Sequence, residues 1–316
     1  MSSSLEILPA DDQGLSRAAE ILRAGRLVAF PTETVYGLGA DARNDHAVAR
    51  IFDAKGRPRF NPLIVHVYDT EAAKRFVEWS DTADRLASAF WPGPMTLVLP
   101  LRAGTGLSPL VTAELPTLAI RVPAHPVGQA LLHAFDGPVA APSANPSGRI
   151  SPTSADHVIS GLEDRIDAVV DGGACDVGLE STILGLSGAP TLLRPGGLPV
   201  EAIEAAIGQP LELHSDTDSI SAPGQLASHY APGANLRLNA ETRRPGEHLL
   251  GFGKVECDLN LSEAGDLIEA AANLFGHLHS LDNMGADVIA VSPIPDVGLG
   301  RAINDRLRRA AAPRDV

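Results

Sequence analysis

Three features of the sequence predict an α/β fold. Through residues 1–212, short apolar runs of strand length alternate with amphipathic helical patterns, which is typical of a sheet covered by helices. Hydrophobic residues make up 44% of the 316 residues and aromatic residues only 4%, so we expect a large core of Ala, Leu, Val and Ile. A polar segment then interrupts the alternation, and a shorter α/β pattern follows it. We therefore expect a mixed sheet in one domain and a small second domain.

The elements of the first domain, residues 1–212, follow from apolar periodicity and from capping residues. Residues 13–24 carry apolar side chains on one helical face, and Gly25 follows where a helix-terminating glycine belongs. Asp45 is expected to cap the next helix. Further helical patterns lie around 82–90, 127–135, 153–161 and 200–207. The strand-like runs are 26–30, 62–67, 96–100, 117–122, 138–142, 167–171, 181–186 and 191–195.

Residues 213–238 differ in composition from the chain before them. They are rich in Ser, Asp, Pro and Gly and have no apolar periodicity, which predicts a linker. The linker nevertheless contains SHYAPG (228–233), with a histidine and a tyrosine that a linker does not need for packing. A second domain is predicted over 239–316. Its strands are expected at 248–253 and 287–292, and its helices at 262–281 and 300–312.

Charge and cysteine content restrict the function and the compartment. The chain has 25 Lys and Arg against 39 Asp and Glu, a net charge of −14, which argues against a protein that coats nucleic acid. Cys175 and Cys257 cannot form a disulfide framework or a four-cysteine zinc site, so a reducing compartment fits. The N-terminus lacks a basic region followed by an apolar run, and no stretch approaches the roughly 20 apolar residues of a membrane helix. We expect a cytoplasmic protein that does not bind a membrane.

Several common catalytic signatures do not occur in the sequence. It contains no GxxxxGK[ST] phosphate loop, no HExxH zinc motif and no GxSxG nucleophile elbow. GFGKVE (251–256) lacks the third glycine of a dinucleotide-binding turn. His277 and His279 lie two residues apart in a predicted helix, so they are expected on different faces and not as a metal-binding pair.

The first positive signal is PTETVYGLG (31–39), which follows a strand-like run and precedes a predicted loop. Hydroxyl groups and glycines at the carboxyl end of a strand suit a small polar ligand, because glycine lets the ligand approach the backbone. An ordinary turn that closes the sheet explains the same residues equally well. The pattern alone leaves both interpretations open.

A second signal is KGRPRFNPLIVH (55–66), in which three cations lie within five residues ahead of an apolar strand. Lysine supplies a point charge, and arginine a planar pair of donors for phosphate or carboxylate. Asn61 adds an amide, and His66 lies inside the strand-like run. On charge alone a solvated loop is the commoner case, and His66 can equally be a hydrogen-bonded histidine of the core.

A further set of cations and hydroxyl groups recurs later and favours the binding interpretation. Thr117 and Arg121 share one face of a predicted strand, where an arginine is costly unless it is paired. PSANPSGRIS (142–151) places hydroxyl groups, an amide and a glycine at a strand end, where they can donate to phosphates. ESTI (180–183) and LRPGG (193–197) complete the set. These polar groups are expected to converge on something small and anionic.

In their order along the chain, these motifs resemble those of the long-form threonylcarbamoyl-AMP synthases, in the YrdC-like family. SHYAPG (228–233), followed by a small domain, resembles the long form in particular. The second domain itself matches only by position and pattern. The motifs that carry the resemblance are FPTETVYGLG (30–39), K-x-R with NPLIVH (55–66), FWPGPMT (90–96), TLAIRVP (117–123), APSANPSG (141–148), ESTI (180–183) and LRPG (193–196).

The resemblance implies a fold, a reaction and a partner. The fold would be a YrdC-like twisted open mixed sheet around a concave site, with a small Rossmann-like α/β second domain. The reaction would convert L-threonine, bicarbonate and ATP into threonylcarbamoyl-adenylate and pyrophosphate. A separate transferase would use the product to modify an adenosine of tRNA, and direct tRNA binding is expected to be weak or absent. Magnesium is expected to bridge the ATP phosphates, and the sequence assigns no protein ligand to it.

The resemblance also assigns roles to residues at matching positions. The positions that resemble the threonine-binding residues are Thr34, His66, Arg121, Ala141 (through its backbone) and Ser181. Those that resemble the ATP contacts are Arg57, Asn61, Thr117, Ser143, Ser151, Arg194 and Tyr230. The catalytic set, expected near the phosphates, is Lys55, Arg57, Ser143 and Asn145. Catalysis is expected to rest on positioning and electrostatics without a covalent enzyme intermediate, with Tyr230 closing over the nucleotide.

Two other functions remain open on the sequence. One is a related carbamoyl-transfer module of the kind fused into hydrogenase-maturation proteins, but the acylphosphatase-like and zinc-finger-like segments of those proteins are missing. The other is an RNA-binding regulator, against which the net charge of −14 speaks. The second domain could clamp the linker or contact a partner.

Overall fold

The computed structural model describes residues 5–214, 222–225 and 228–313, which form two sheets flanked by helices. Residues 215–221 and 226–227 of the predicted linker lie outside the described residues. The strands of the first sheet are β1 (Glu6–Pro9), β2 (Val28–Phe30), β3 (Gly37–Asp41), β4 (Ile64–His66), β5 (Met95–Pro100), β6 (Thr117–Arg121), β7 (Val139–Ala140), β8 (Ala168–Asp171), β9 (Thr182–Gly185), β10 (Thr191–Arg194) and β11 (Glu212–Leu213). Those of the second are β12 (Asn235–Arg237), β13 (Glu247–Gly251), β14 (Leu259–Asn260) and β15 (Val288–Val291).

The helices lie between these strands, as an α/β pattern requires. Their bounds are α1 (Asp12–Arg23), α2 (Asp45–Lys55), α3 (Thr70–Lys74), α4 (Asp81–Phe90), α5 (Pro109–Thr112), α6 (Pro126–Phe135), α7 (Ala155–Leu162), α8 (Val200–Ile207), α9 (Leu267–Asn283) and α10 (Leu299–Ala311). Within the described part of the chain, no helix is long and apolar enough to cross a membrane.

The first sheet is mixed, which confirms the predicted fold class. Its spatial order is β1-β8-β2-β3-β7-β4-β6-β5-β9-β10-β11. At its centre β4 runs parallel to β6 and antiparallel to β7, while β5 runs antiparallel to β6 and parallel to β9. His66 pairs in register with Arg121 at the carboxyl ends of β4 and β6. The topology therefore brings two residues from separate motifs to one edge of the sheet.

Capping groups set the ends of the first two helices. The Asp11 side chain accepts a hydrogen bond from the Gly14 amide at 2.8 Å, and Gly25, with φ of 71°, follows the end of α1 as predicted. The prediction for α2 is wrong by one residue. Asn44 is the cap, because its backbone is extended and its side chain accepts from the Ala47 amide at 3.1 Å. Asp45 is instead the first helical residue, where its carboxylate faces the positive end of the helix dipole.

Some elements were not predicted, and shortness or glycine content explains most of them. The β1, β11 and β14 strands and the α3 and α5 helices span too few residues for a periodic pattern to emerge. The β3 strand overlaps the PTETVYGLG motif and the loop expected after it, and it was not predicted because its glycines are weak strand formers. A Cβ on Gly39 would lie 2.9 Å from the Phe30 ring and 3.1 Å from the Val28 carbonyl oxygen, so the close pairing of β2 and β3 requires glycine. The β12 strand lies entirely inside the range 213–238 predicted as linker, so the linker prediction is wrong there.

The second sheet is parallel throughout and packs closely against the first domain. Its order is β12-β15-β13-β14, with α9 and α10 beside it. The apolar core of this domain continues into Val35 and Leu179 of the first domain. A Cβ on Gly178 would lie 2.6 Å from the Ala271 carbonyl oxygen in α9, so the two backbones approach closely at this glycine. The rings of His157 in α7 and His279 in α9 also stack, with centroids 3.9 Å apart.

Candidate functional site

A buried cavity lies at the edge of the first sheet where β4 and β6 end, and segment 228–230 covers it. All five candidates for threonine binding line it, as do four of the seven candidates for ATP binding. The lining residues are Thr32, Thr34, Val35, Gly37, Arg57, Ile64, His66, Arg121, Ala141, Pro142, Ser143, Glu180, Ser181, Arg194, Pro223, Gly224, His229 and Tyr230.

On one side of the cavity, Arg121 is fixed by neighbours and its charge is compensated. Its Nη2 donates to Glu33 Oε1 at 2.6 Å, its Nη1 to Thr34 Oγ1 at 2.9 Å and its Nε to the Gly93 carbonyl at 3.1 Å. The other oxygen of Glu33 accepts from the Ala124 amide at 3.0 Å. The Arg121 and Glu33 side chains are 4% and 9% exposed, so this is a buried, hydrogen-bonded ion pair. We call the region around Arg121, His66 and Ser181 the Arg121 half.

His66 and Ser181 complete the Arg121 half. Burial, and then the nearby charge of Arg121, lower the pKa of His66 to about 3, so its imidazole is neutral near pH 7. Its Nδ1 atom is buried without a hydrogen-bond partner among the described residues. The Ser181 hydroxyl lies 2.7 Å from Thr96 Oγ1 and accepts from Arg194 Nη2 at 3.3 Å. A neutral ring nitrogen and an oriented hydroxyl can recognise the polar groups of a small amino acid.

Three buried cations without a salt bridge to a described carboxylate lie at the rest of the site, Arg57 and Arg194 on the cavity wall and Lys55 outside it. Lys55 donates to the Ser143 and Asn145 carbonyls, each at 2.5 Å. Arg57 and Arg194 likewise donate to carbonyl groups, and Arg194 also to the Ser181 hydroxyl. The three residues are between 3% and 8% exposed, and none forms an ion pair with a carboxylate of the described chain. We call Lys55, Arg57 and Arg194, with their neighbours, the three-cation half.

The pKa shifts in the three-cation half have one leading cause. Burial lowers the pKa of Lys55 well below its usual value, and the charge of Arg57 lowers it further. Burial also lowers the pKa of Arg57 to about 10 and that of Arg194. The charge of Glu180 partly offsets that of Arg194, but no described carboxylate does so for Lys55 or Arg57. A buried cation without a counter-charge costs free energy, so an anionic ligand would stabilise this arrangement.

Two asparagines add unsatisfied polar atoms to the three-cation half. Both side-chain polar atoms of Asn61 are buried, and neither has a hydrogen-bond partner in the described structure. Asn145 donates to the Pro146 and Arg149 carbonyls at 2.8 and 2.9 Å, while its Oδ1 is left without a partner. Buried polar atoms are normally satisfied, so these atoms mark places where a ligand or ordered water belongs.

Five of the predicted residues lie outside the cavity wall. Lys55 and Asn145 lie behind Ser143, and Asn61 beside Arg57, whose Nε donates to the Asn61 carbonyl at 3.2 Å. The Ser151 hydroxyl donates to Glu180 Oε1. The fifth residue, Thr117, is the first residue of β6. It lies two residues before Ala119, which pairs with Ile64 of β4. Thr117 therefore lies on the Asn61 side of the site and does not line the cavity.

The linker motif closes the cavity. Tyr230 is 1% exposed and has a φ of 63°, and its hydroxyl group has no hydrogen-bond partner among the described residues. The His229 amide donates to the Arg309 carbonyl in α10 at 3.1 Å. The remaining cavity volume is about 50 Å³. Pockets that enclose small ligands measure about 300–1,000 Å³, so the described residues leave less room here than a nucleotide needs.

Sequence reasoning missed four polar residues that organise the site. Glu33 and Thr96 lie inside quoted motifs, but only their contacts with Arg121 and Ser181 reveal their roles. Glu180 also lay inside a quoted motif, and its partner Arg306 reaches it from α10 at 2.8 Å. These two residues are 126 positions apart, so no local pattern could have linked them.

Two family models together match most of the chain. The Sua5–YciO–YrdC model, described as telomere recombination, matches residues 20–196. A second model, described as the C-terminal domain of threonylcarbamoyl-AMP synthase, matches residues 198–312. The boundary between them falls before α8.

Curated relatives and a solved structure match over nearly the whole length. The chain is 42% identical to a threonylcarbamoyl-AMP synthase of Pyrococcus abyssi, covering 95% of this chain and 94% of that one. It is also 42% identical to the Bacillus subtilis protein of the same name, with 98% and 96% covered. The structure of P. abyssi Sua5 in complex with L-threonine superimposes with a TM-score of 0.90 at 39% identity, covering 97% of each chain.

Proposed function

Because the chain belongs to the Sua5–YciO–YrdC family, in its two-domain form, we propose that it synthesises threonylcarbamoyl-AMP from L-threonine, bicarbonate and ATP. The observation that carries the proposal is a single cavity with two unlike halves. One half has a compensated arginine, a neutral histidine and an oriented hydroxyl. The other has three buried cations without carboxylate partners in the described chain. An amino acid suits the first half and a polyphosphate the second.

The proposed reaction has two bond-forming steps. The threonine amine attacks the carbon of bicarbonate, a C–N bond forms, and water leaves to give a carbamate. A carbamate oxygen then attacks the α-phosphorus of ATP, and the bond from that phosphorus to the bridging oxygen breaks. Pyrophosphate leaves with the electron pair, and the product is a mixed anhydride. The protein's contribution would be positioning and electrostatic stabilisation.

We place threonine in the Arg121 half. Arg121 keeps N–H groups beyond its bonds to Glu33, Thr34 and Gly93, and we propose that these bind the threonine carboxylate. Neutral His66 and the Ser181 hydroxyl would then meet the amine and hydroxyl groups. Thr34 and the backbone of Ala141 lie on the same wall and complete this set. The P. abyssi relative, whose structure was solved in complex with L-threonine, supports threonine as a ligand of this chain.

We place ATP in the three-cation half. Lys55, Arg57 and Arg194 would offset the phosphate charge, and more strongly so as pyrophosphate develops. The unsatisfied amide of Asn61 and the Asn145 oxygen are donors and acceptors available for this ligand or its waters. Ser143, Ser151, Thr117 and Tyr230 surround the same half, and we propose them as further ATP contacts.

Magnesium would accompany ATP as part of the substrate. Within residues 5–214, 222–225 and 228–313, no group of three or more His, Cys, Asp or Glu residues is arranged to hold a metal. Glu180, a carboxylate on the cavity wall, is engaged by Arg306 and Ser151. We therefore propose that phosphate oxygens and water hold the ion, as is common for Mg²⁺.

The product would pass to a separate transferase that modifies tRNA, and we place both reactions in the cytoplasm. A mixed carbamic–phosphoric anhydride hydrolyses readily in water, so the closed position of Tyr230 would protect it until release. Direct tRNA binding is proposed to be weak, because the chain carries a net charge of −14.

Pyrophosphate release tests the proposed function. The full-length protein is incubated with ATP, magnesium and bicarbonate, with threonine added or omitted. Release that requires threonine and bicarbonate together is expected. Release that ignores threonine would mean another acceptor or simple nucleotide hydrolysis. No release from folded protein would contradict the proposal and favour a binding role.

A further inference from the structure

Arg306 is a buried guanidinium that reaches the site from the second domain. It lies in α10 and is 1% exposed, and it is among the largest fully buried side chains of the described residues. A buried arginine is costly unless its charge is compensated, so its partners show what it does. Those partners belong to the first domain, the linker and α10 itself.

The guanidinium is held in a fixed plane by two carboxylates. Nε donates to Glu180 Oε2 at 2.8 Å, and Nη1 donates to Asp305 Oδ2 at 2.7 Å. Asp305 also accepts from Arg309 Nε at 3.0 Å, which orients it in turn. The Glu180 side chain is 7% exposed and lies on the wall of the cavity. The second domain thus fixes a carboxylate of the first.

Glu180, held by Arg306, in turn orients Ser151, a predicted ATP contact. With Oε2 bound to Arg306, its Oε1 accepts the hydrogen bond from the Ser151 hydroxyl. Although burial raises the pKa of Glu180, the charges of Arg306 and Arg194 and the bond from Ser151 outweigh it and lower the pKa overall. Glu180 is therefore an ionised acceptor that orients Ser151.

Arg306 also supports the residue that closes the site. Its guanidinium carbon lies 4.9 Å from the centroid of the Tyr230 ring, within the range of a cation–π interaction. The Tyr230 ring also stacks on Phe275 of α9, at 5.8 Å between centroids. Two side chains of the second domain therefore hold the ring of a linker residue against the three-cation half.

We infer that Arg306 is a positioning residue through which the second domain completes the ATP half of the site, an inference that rests on the proposed function. It acts through Glu180 on Ser151 and through ring contact on Tyr230. Its side-chain partners among the described residues, Glu180, Asp305 and Tyr230, do not include a residue proposed to bind threonine. Loss of Arg306 should therefore separate the two substrates, weakening the use of ATP and sparing that of threonine.

The test compares two arginines of the same helix. Arg306→Met removes the buried charge, and Arg306→Lys keeps a charge that can still reach one partner. Arg301→Met is the matched control, because Arg301 pairs with Glu201 of α8 at 3.0 Å with both side chains about half exposed. Exposed pairs contribute little, so Arg301→Met should behave like the wild type.

For Arg306→Met, the KM for ATP should rise about tenfold or more. Effects of this size are typical when a residue that orients a binding group is lost. The threonine KM should change less than about threefold, a shift within 1 kcal/mol. Arg306→Lys should recover part of the loss. Equal rises in both KM values, or a lower melting temperature with unchanged KM values, would overturn the inference.

A pH profile gives a readout that a merely structural role would not move. Burial raises the pKa of Glu180, and the charge of Arg306 opposes this effect. Without Arg306 the pKa of Glu180 should therefore rise. The acidic limb of the pH profile of kcat/KM for ATP should then move towards neutral pH. A profile with the wild-type acidic limb would contradict the inference. The other groups whose charge acts on Glu180 are Arg194 of β10 and His229 and Tyr230 of the linker, while Asp305 of α10 shares Arg306 with it.

A double variant keeps the test valid if Arg306→Met does not fold. Arg306→Met with Glu180→Gln leaves neither member of the pair as an uncompensated charge, and such replacements are usually tolerated. The folded double variant should still show the raised ATP KM, but no shifted acidic limb. A wild-type ATP KM in this variant would overturn the inference. If the wild type itself released no pyrophosphate, the proposed function would fail instead.

Discussion

The two halves of the cavity are both buried and both cationic, yet they are built differently. In the Arg121 half the cation has its own carboxylate, Glu33, at 2.6 Å. In the three-cation half Lys55, Arg57 and Arg194 have carbonyl and hydroxyl partners, but no carboxylate of the described residues. One half is thus complete in charge, whereas in the other only Arg194 is partly offset, by the nearby charge of Glu180.

The difference shows that the charge balance of a buried site indicates the charge of the ligand that it binds. A compensated arginine can present its remaining donors to a small zwitterion such as an amino acid without excess charge. Uncompensated cations carry a desolvation cost that a highly charged anion removes on binding. Under the proposed function, the Arg121 half is therefore ready before its ligand arrives, whereas ATP would complete the charge of the three-cation half.

Removing Arg121 should have the largest effect and should fall on threonine. If Arg121 binds the carboxylate in this buried setting, Arg121→Ala should cost about 2–5 kcal/mol, or about 30-fold to 4,000-fold in the threonine KM. The ATP KM should change far less. Steady-state kinetics with each substrate varied in turn measure both values.

Arg43→Ala is the control for Arg121→Ala. Like Arg121, Arg43 pairs with a carboxylate, that of Asp41 at 2.8 Å, but its side chain is 46% exposed and does not line the cavity. Its removal should leave both KM values unchanged. An unchanged threonine KM in Arg121→Ala would show that the role assigned to Arg121 is wrong.

Removing one cation of the three-cation half should affect ATP instead. Lys55→Met should lower the rate of pyrophosphate release about 10²–10³-fold, as expected for a group that stabilises charge in the transition state. Melting temperatures with and without each substrate give a second readout. In Lys55→Met, the increase in melting temperature caused by MgATP should be smaller than in the wild type. Any increase in melting temperature caused by threonine should persist.

Lys74→Met serves as the matched lysine variant. Lys74 is one-third exposed and pairs with Glu71 at 2.7 Å on the surface, so its loss should alter neither rate nor ligand stabilisation. A full-rate Lys55→Met variant would exclude the proposed electrostatic role.

Each half also holds a buried neutral histidine, and both should make stability depend on pH. Burial leads in lowering the pKa of His66 and of His229 to about 3, whereas unfolded histidine titrates near 6.5. Between these values the unfolded state binds more protons. Stability is therefore fully present above about pH 6.5 and is lost as the pH falls towards 3.

The expected slope is about 1.4 kcal/mol per pH unit for each such histidine between roughly pH 4 and 6. Denaturant unfolding of the wild type at several pH values measures this slope. The His229→Gln variant should lower it by about 1.4 kcal/mol per pH unit, the contribution of one histidine. A free energy of unfolding that stays constant from pH 7 to pH 5 would contradict buried neutral histidines.

The smallest effect concerns the closing segment. Gly224 has a φ of 85°, and a Cβ there would lie 2.7 Å from the Tyr230 hydroxyl and 2.8 Å from Arg194 Cδ. Gly224→Ala should displace Tyr230 and raise the ATP KM about tenfold, because such strain costs of order 1–3 kcal/mol. The threonine KM should stay near the wild-type value.

Gly208→Ala separates the contact from the backbone strain. Gly208 has a φ of 74°, but nothing lies within 4 Å of a Cβ built there. This variant should lose some stability and keep both KM values. If Gly208→Ala and Gly224→Ala raise the ATP KM equally, Tyr230 displacement is not the cause.

Much of the fold could be predicted from the sequence, because periodicity and capping are local. The strand over residues 96–100 and the helices over 127–135 and 200–207 were predicted to within a residue or so of their ends. Two-residue strands such as β11 and β14 carry no period to detect. Contacts between distant residues also cannot be predicted from a local pattern. Gly39 is an example, since its place in β3 depends on the packing of Phe30 across the sheet.

The resemblance already divided the candidate residues into a threonine set and an ATP set, but the sequence did not predict how their charges are compensated. Sequence motifs identified Arg121 and Lys55 by their type and by resemblance. Only the folded chain distinguishes a cation paired with Glu33 from one that bonds to carbonyls alone. Arg306 carried no signal at all, because its partner Glu180 is distant in sequence and its role depends on docking of the second domain.

Product analysis tests the central claim most directly. The full-length protein is incubated with MgATP, L-threonine and ¹³C-labelled bicarbonate, and the nucleotide products are identified by mass spectrometry before they hydrolyse. The account predicts an adenylate that contains threonine and one ¹³C atom, formed together with pyrophosphate and absent when threonine is omitted. ADP with phosphate, or an adenylate without the labelled carbon, would contradict it.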